Sequence, residues 1–252
     1  KGLSKDDRET LLASMGNKKL DEDILFQKAV FDESQLRTLG DVDDMIRKLT
    51  GDQAQYPEAF SPHAGMSLLD LKAQVAAMLG RPQEAVDALS EYWRQADQME
   101  VHEDAARAAK LKGDVQMVQA FSRHNIDRDR VLEAIRTYGE EGVKSLTTVD
   151  KRSFYHVSVR INRIRAVGAL AMSYAYEIET RQPKAGEVAQ MKQEFQVHLE
   201  TALKDFEYLN NERPRGAQVG EVQYYLMGYM GHVLQGARNF GLELPDLSQS
   251  PY

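Results

Sequence analysis

The stretch between Asp150 and Glu177 contains no acidic residue, although the chain carries a net charge of −7. Arg160 and Arg163 are three residues apart, so a helix would point both the same way. Arginine side chains bind carboxylates and phosphates through paired hydrogen bonds. Two interpretations follow: a site for an anionic partner or ligand, or internal pairing with the acidic N-terminal half, which we favour. The basic residues of the stretch, with one histidine, are Lys151, Arg152, His156, Arg160, Arg163 and Arg165.

The second unusual pattern is a segment rich in glycine, tyrosine and methionine, which reads QYYLMGYMGH at 223–232. Glycine inside a helix costs about 1 kcal/mol relative to alanine. Close packing against a smooth surface of Gly168, Ala171 and Ala175 would explain such glycines. The other interpretation is a groove for a peptide helix or an apolar ligand, with Tyr225 and Tyr229 as candidate binding residues. The glycines concerned are Gly220, Gly228, Gly231 and Gly236.

Few residues have the spacing that catalysis or metal binding requires. The chain has no cysteine and no G-x-S-x-G turn, and its six histidines form no H-x-x-x-H or E-x-x-H pair. Glycine-rich phosphate loops are also missing. We interpret His198 as a structural histidine, and the acidic cluster at 41–44 as the start of a helix. The sequence therefore predicts no catalytic residue, no metal ligand and no cofactor.

Apolar residues recur at helical spacing along the chain, and strand-like alternation is almost absent. Ser67 and Asp70 resemble a capping box, Gly80 a left-handed helix end, and Pro82 the first turn of a new helix. Gly113 and Gly139 are predicted to end helices. The short predicted helices are 6–15, 21–31, 33–39, 42–49, 67–79, one from 82, 102–112, 114–123 and 128–138.

Three longer helices are predicted near 152–181, 186–210 and 217–239. The first presents apolar residues at steps of three and four over about four heptads. We therefore expect a short-helix region, 1–149, and a bundle of three long antiparallel helices, 150–252. The two regions are either separate domains or one continuous superhelix.

Two segments that begin 33 residues apart, at Leu79 and Lys112, share a helix end, a glycine and a new helix. The interval is close to the period of tetratricopeptide repeats, about 34 residues. Residues 35–125 therefore resemble a tetratricopeptide-repeat array, in which Gly80 stands at the family's inter-helix glycine. The resemblance implies an all-α solenoid of short helix pairs that binds a peptide or protein and has no catalytic activity.

Composition limits the class of protein. Apolar residues make up 42% of the chain and charged residues 28%, which excludes a wholly disordered chain. The acidic balance argues against a nucleic-acid-coating protein, and no apolar run reaches the length of a membrane span. The sequence starts without methionine or an apolar leader, so we expect a soluble, trimmed or processed product. The compartment, whether cytoplasmic, periplasmic or secreted, stays open.

The leading functional hypothesis is a non-enzymatic scaffold or adaptor that binds a protein or peptide in a helical groove. His156, Arg160, Arg163, Tyr225 and Tyr229 are its candidate binding residues, and a partner with an acidic segment would fit the arginines. One alternative is a helical enzyme or ligand-binding protein with an anion site in the C-terminal half. Another is a structural subunit of a larger assembly, since small-residue seams suit homo-oligomers.

Overall fold

The described residues of the computed structural model are 33–121, 126–151, 153–211 and 219–243, without the side chains of 33–36 and 219–225. Within these ranges the chain is all-helical, and its only β-type pairing is an isolated bridge between Phe121 and Ile126. The predicted helices 6–15 and 21–31 lie outside the described residues. The α-helices are α1 (Glu33–Gln55), α2 (Pro62–Met78), α3 (Pro82–Gln98), α4 (His102–Ala120), α5 (Arg128–Arg136), α6 (Phe154–Arg181), α7 (Ala185–Asn211) and α8 (Val219–Asn239).

The predicted end of α2 and the predicted start of α3 are confirmed, whereas the predicted start of α2 is wrong. Gly80 has a left-handed backbone (φ 70°), and Pro82 begins α3. The capping box at Ser67 is wrong, because α2 begins five residues earlier, at Pro62. There the Ser61 hydroxyl accepts a hydrogen bond from the Ala64 N–H (3.1 Å). A serine directly before a first-turn proline is the stronger start signal.

Gly113 and Gly139 do not end helices, contrary to the prediction. Gly113 lies inside α4, where an added Cβ would lie 2.4 Å from Cε1 of Tyr138. Gly139 lies in a π-helical segment, Thr137–Val143, which continues directly from α5. A Cβ on Gly139 would lie 2.9 Å from Nη1 of Arg163. Both glycines therefore make room for a neighbouring side chain and do not interrupt the backbone.

The three long helices are confirmed as an antiparallel series. Residues early in α6 contact residues late in α7, as in the hydrogen bond between Arg163 and Asp205. Gly236 of α8 lies against both Ala171 of α6 and Phe195 of α7. An added Cβ on Gly236 would lie 2.4 Å from the Ala171 Cβ, so close helix packing explains this glycine. It does not explain Gly228 or Gly231, because neither has an atom within 4 Å of its Cβ position.

The largest apolar core extends from α4 to α8, and its residues come from both sides of position 150. A second core joins α2, α3 and α4, and a small third one joins α1 to α2. Buried alanines line the contacts around α3 and α4, which lets these short helices pack closely. Among the described helices, none combines the length and hydropathy that crossing a bilayer would require.

Candidate functional site

The predicted arginines of α6 meet a carboxylate of α7. Arg163 donates two hydrogen bonds to Asp205, from Nε to Oδ2 (2.6 Å) and from Nη2 to Oδ1 (2.7 Å). Nε of Arg160 lies 3.6 Å from the same Oδ1. Asp205 is 3% exposed, so both cations serve one buried anion. The internal-pairing interpretation therefore accounts for Arg163, although the pairing residue lies in α7 and not in the N-terminal half.

His156 joins the same cluster one turn earlier on α6. Its Nε2 lies 3.1 Å from the Val149 carbonyl oxygen, which can only accept, so Nε2 carries the proton. Nδ1 is then the acceptor for the Tyr208 hydroxyl (3.2 Å) and for Nη1 of Arg160 (3.3 Å). The Arg160 guanidinium carbon lies 3.8 Å from the centre of the Tyr208 ring, a cation–π contact. The polar side chains of His156, Arg160 and Tyr208 therefore contact one another.

Burial dominates the electrostatics of this cluster. It lowers the pKa of His156, and the nearby Arg160 and Lys151 lower it further, against the hydrogen bond to Val149. It also lowers the pKa of Arg160. Burial raises the pKa of Asp205, and the Arg163 guanidinium opposes that rise. A neutral histidine and a charge-paired carboxylate are the states that this geometry accommodates.

Three of the five candidate binding residues lie in one described cluster. His156, Arg160 and Arg163 come together around Asp205 and Tyr208. Tyr229 lies on α8, where its backbone oxygen packs beside Gly168. The side chain of Tyr225 lies outside the described part, as does Arg152. Their role in partner binding stays a prediction.

Sequence reasoning missed a second buried polar cluster, centred on Asp114 of α4. Asp114 is 1% exposed and accepts hydrogen bonds from the Tyr138 hydroxyl (2.6 Å) and the Asn162 amide (2.8 Å). Lys110 and Arg165 add ion pairs at 2.7 and 3.3 Å. Opposite charges lower the pKa of Asp114 against its burial. Arg165 therefore pairs with the N-terminal half, as the internal-pairing interpretation predicts.

An open groove lies between the α4–α5 junction and the C-terminal end of α6. Its volume is about 580 Å³, within the range of ligand pockets, roughly 300–1,000 Å³. The junction is closed by a hydrogen bond from the Asp127 N–H to the Ala120 oxygen (2.7 Å). We call this surface the α4–α6 groove. Its described lining includes Gln119, Asp127, Arg128 and Asp129 on one side, and Ser173, Tyr176, Glu177, Thr180 and Arg181 on the other.

Several polar side chains of the α4–α6 groove already make hydrogen bonds within the chain. The hydroxyls of Ser173 and Thr180 donate to the backbone oxygens of Leu170 (2.8 Å) and Tyr176 (2.7 Å). The side-chain oxygen of Gln119 is buried and has no hydrogen-bond partner among the described residues.

The charged residues of the groove are unevenly paired. Glu177 binds both cations, Arg128 at 3.2 Å and Arg181 four residues along the helix. Asp127 caps α5 by accepting the Arg130 N–H (3.2 Å). No ion pair to Asp127 or Asp129 occurs within the described ranges. Both arginines therefore pair with Glu177, while Asp127 and Asp129 are exposed acids at the start of α5.

No group of three or more metal-ligating side chains comes together in the part of the chain that the structure describes. Comparison with protein-family models, curated proteins and solved structures found no match to this chain.

Proposed function

We propose that this protein is a non-enzymatic, tetratricopeptide-like helical scaffold that binds an extended peptide segment of a partner protein in the α4–α6 groove. The chain supplies a rigid surface and no chemistry. Recognition rests on complementary polar groups and one exposed aromatic ring.

Contacts between alternate helices support the solenoid arrangement. Asp70 of α2 accepts a hydrogen bond from Arg107 of α4 (2.7 Å). Asp114 of α4 pairs with Arg165 of α6, and Gly168 of α6 lies against His232 of α8. These contacts support an arrangement in which α2, α4, α6 and α8 lie on one side of the array and the intervening helices on the other. Stacked helix pairs of this kind present long binding surfaces.

The observation that carries the proposal is the open groove with the exposed side chain of Tyr176 in its lining. Tyr176 lies near the C-terminal end of α6 and is 45% exposed. Tyrosine at the mouth of a groove combines apolar contact with a hydrogen-bonding end, which suits peptide recognition. The volume admits a few side chains and not a folded domain.

The alternative of an enzyme with an anion site has less support. Its candidate residues, His156, Arg160 and Arg163, direct their polar atoms at one another and at Asp205. An anionic substrate would have to displace a bidentate carboxylate from a buried site, which is costly. The observations therefore favour binding over catalysis.

Selection from a random peptide library displayed on phage tests the proposal. The full chain is the bait, and Tyr176→Ala is the groove variant. Val197→Ala is the matched control, because Val197 is also exposed on a long helix, α7, and does not line the groove. We expect enriched peptides that lose binding with Tyr176→Ala and keep it with Val197→Ala. Failure to enrich any peptide, or equal binding to both variants, would contradict the proposal.

A further inference from the structure

We infer that His156 is the sensor of an acid-released latch, which holds the C-terminal end of α7 against the start of α6 while the imidazole is neutral. We call the contacts among Val149, His156, Arg160 and Tyr208 the α6–α7 latch. The latch goes beyond the proposed function, because it regulates the conformation of the bundle and includes no residue of the α4–α6 groove.

One imidazole joins three segments of the chain. Its Nε2 donates to the backbone oxygen of Val149 (3.1 Å), in the segment before α6. Its Nδ1 accepts the Tyr208 hydroxyl of α7 (3.2 Å) and Nη1 of Arg160, one turn along α6 (3.3 Å). The rings of His156 and Tyr208 are also stacked, with centroids 6.0 Å apart. His156 is 4% exposed, so the closed latch shields these contacts from water.

Both contacts at Nδ1 of His156 require an unprotonated nitrogen. A protonated imidazole has two N–H donors and no acceptor. The Arg160 guanidinium only donates hydrogen bonds, so its Nη1–H would face the new Nδ1–H. The Tyr208 hydroxyl would have to turn its proton away from the ring. The closed geometry therefore favours the neutral imidazole.

The charges around the ring also oppose protonation. Burial lowers the pKa of His156, Arg160 and Lys151 lower it further, and Asp150 raises it. Asp205 already pairs with both arginines of the cluster. A proton on His156 would add another cation where cations already outnumber carboxylates. The charged groups concerned are Arg160 and Arg163 of α6, Asp205 of α7, and Asp150 and Lys151 of the segment before α6.

The end of α7 is the part that the latch releases. Tyr208 lies in the last turn of this helix, which ends at Asn211. Loss of the Nδ1 acceptor removes the hydrogen bond that ties this turn to α6, while earlier turns stay in the main apolar core. Helix ends with few ties open locally at a lower free energy than a helix centre. Phe206 and Leu209 are buried at this end, so its opening exposes apolar surface.

Amide hydrogen exchange of the full chain, followed by mass spectrometry, tests the latch. Labelling times are adjusted for the intrinsic pH dependence of exchange. From about pH 7.5 to about pH 5.5, exchange at 205–211 should accelerate by up to about tenfold, because opening restores a histidine with its ordinary pKa of about 6.5. Exchange at 191–202, earlier on the same helix, should change much less. Equal acceleration of both segments would overturn the inference.

Two histidine variants identify the sensor. His156→Gln keeps an N–H donor for Val149 but does not titrate, so exchange at 205–211 should lose its pH dependence. His198→Gln is the matched control: burial lowers the pKa of His198 as well, but its charged neighbours are Glu194 and Arg136. This control should keep the acceleration. Loss of the acceleration in His198→Gln, or its persistence in His156→Gln, would overturn the inference.

Tyr208→Phe tests the latch without changing the histidine. It keeps an aromatic ring over Arg160 and removes only the hydroxyl that His156 accepts. We expect faster exchange at 205–211 already at about pH 7.5, with a smaller further rise in acid. Unchanged exchange at neutral pH would show that this hydrogen bond does not hold the end of α7. These results are independent of the peptide-binding proposal, which the Tyr176→Ala variant tests.

Discussion

The ring of Tyr138 occupies the space where a side chain of Gly113 would begin. A Cβ on Gly113 would lie 2.4 Å from Cε1 of that ring, and the Tyr138 hydroxyl donates to Asp114, the next residue of α4. The absence of a side chain at Gly113 therefore lets the Tyr138 ring reach its buried hydrogen bond with Asp114. It holds the π-helical segment Thr137–Val143 against α4.

We predict that Gly113→Ala destabilises the protein by about 2 kcal/mol or more. Overpacking costs about 1–3 kcal/mol, and displacement of Tyr138 weakens a buried hydrogen bond. The gain in helix propensity, about 1 kcal/mol, is smaller. Denaturant unfolding followed by circular dichroism measures the change. Gly228→Ala is the control: it lies in α8 with no atom within 4 Å of its Cβ position, so it should raise stability slightly. Equal effects of both changes would refute this explanation.

Removal of the charge at Asp205 should lower the free energy of unfolding. Asp205→Asn leaves Arg163 and Arg160 in a buried site without their anion, and breaking such a pair costs about 3–5 kcal/mol. The free energy of unfolding measures the loss. Glu207→Gln, an exposed acid two residues along α7, should change stability by less than about 0.5 kcal/mol. A small effect of Asp205→Asn would show that the ion pair is not retained in solution.

Stability should fall as pH falls below about 6.5, the ordinary pKa of histidine. Burial lowers the pKa of His156 and of His198 in the folded chain, so the unfolded chain takes up protons first. The stabilisation is complete above the unfolded pKa and is lost as pH falls through the folded one. Thermal melts between about pH 8 and about pH 5.5 measure this loss.

The variant His156→Gln tests how much of the pH dependence of stability comes from His156. His156→Gln keeps an N–H donor for Val149 but does not titrate. We expect a lower melting temperature at neutral pH and a shallower fall toward acid. Some fall should remain, because His198 still titrates. An unchanged slope would exclude His156 as a source.

The described helices should unfold in one transition. The main core takes residues from both sides of position 150, and the single tryptophan, Trp93, donates from its ring N–H to the Ser145 hydroxyl (3.3 Å). Trp93 fluorescence therefore reports on the contact between α3 and the segment before α6. Coincident fluorescence and circular-dichroism curves would support one continuous superhelix. Two separate transitions would support domains at 1–149 and 150–252.

The candidate site was partly accessible from sequence. The acid-free stretch predicted internal ion pairs for the arginines of α6, and Arg163 and Arg165 do pair with buried carboxylates. Which carboxylates they find could not be predicted, because Asp205 and Asp114 are 42 and 51 residues away from Arg163 and Arg165. The α4–α6 groove has no local signature, since its two sides are separated in the chain and each contains ordinary surface residues.

The all-helical class could be predicted from residue patterns alone, as could the three long helices and the break at Gly80 and Pro82. These features depend on apolar spacing and on backbone preferences, which act between residues close in the chain. The folded structure was needed to show that Gly113 and Gly139 continue their helices, because the reason is a side chain from another segment. It alone decided where buried charges pair and where an open groove remains, because both depend on helix packing over long separations in the chain.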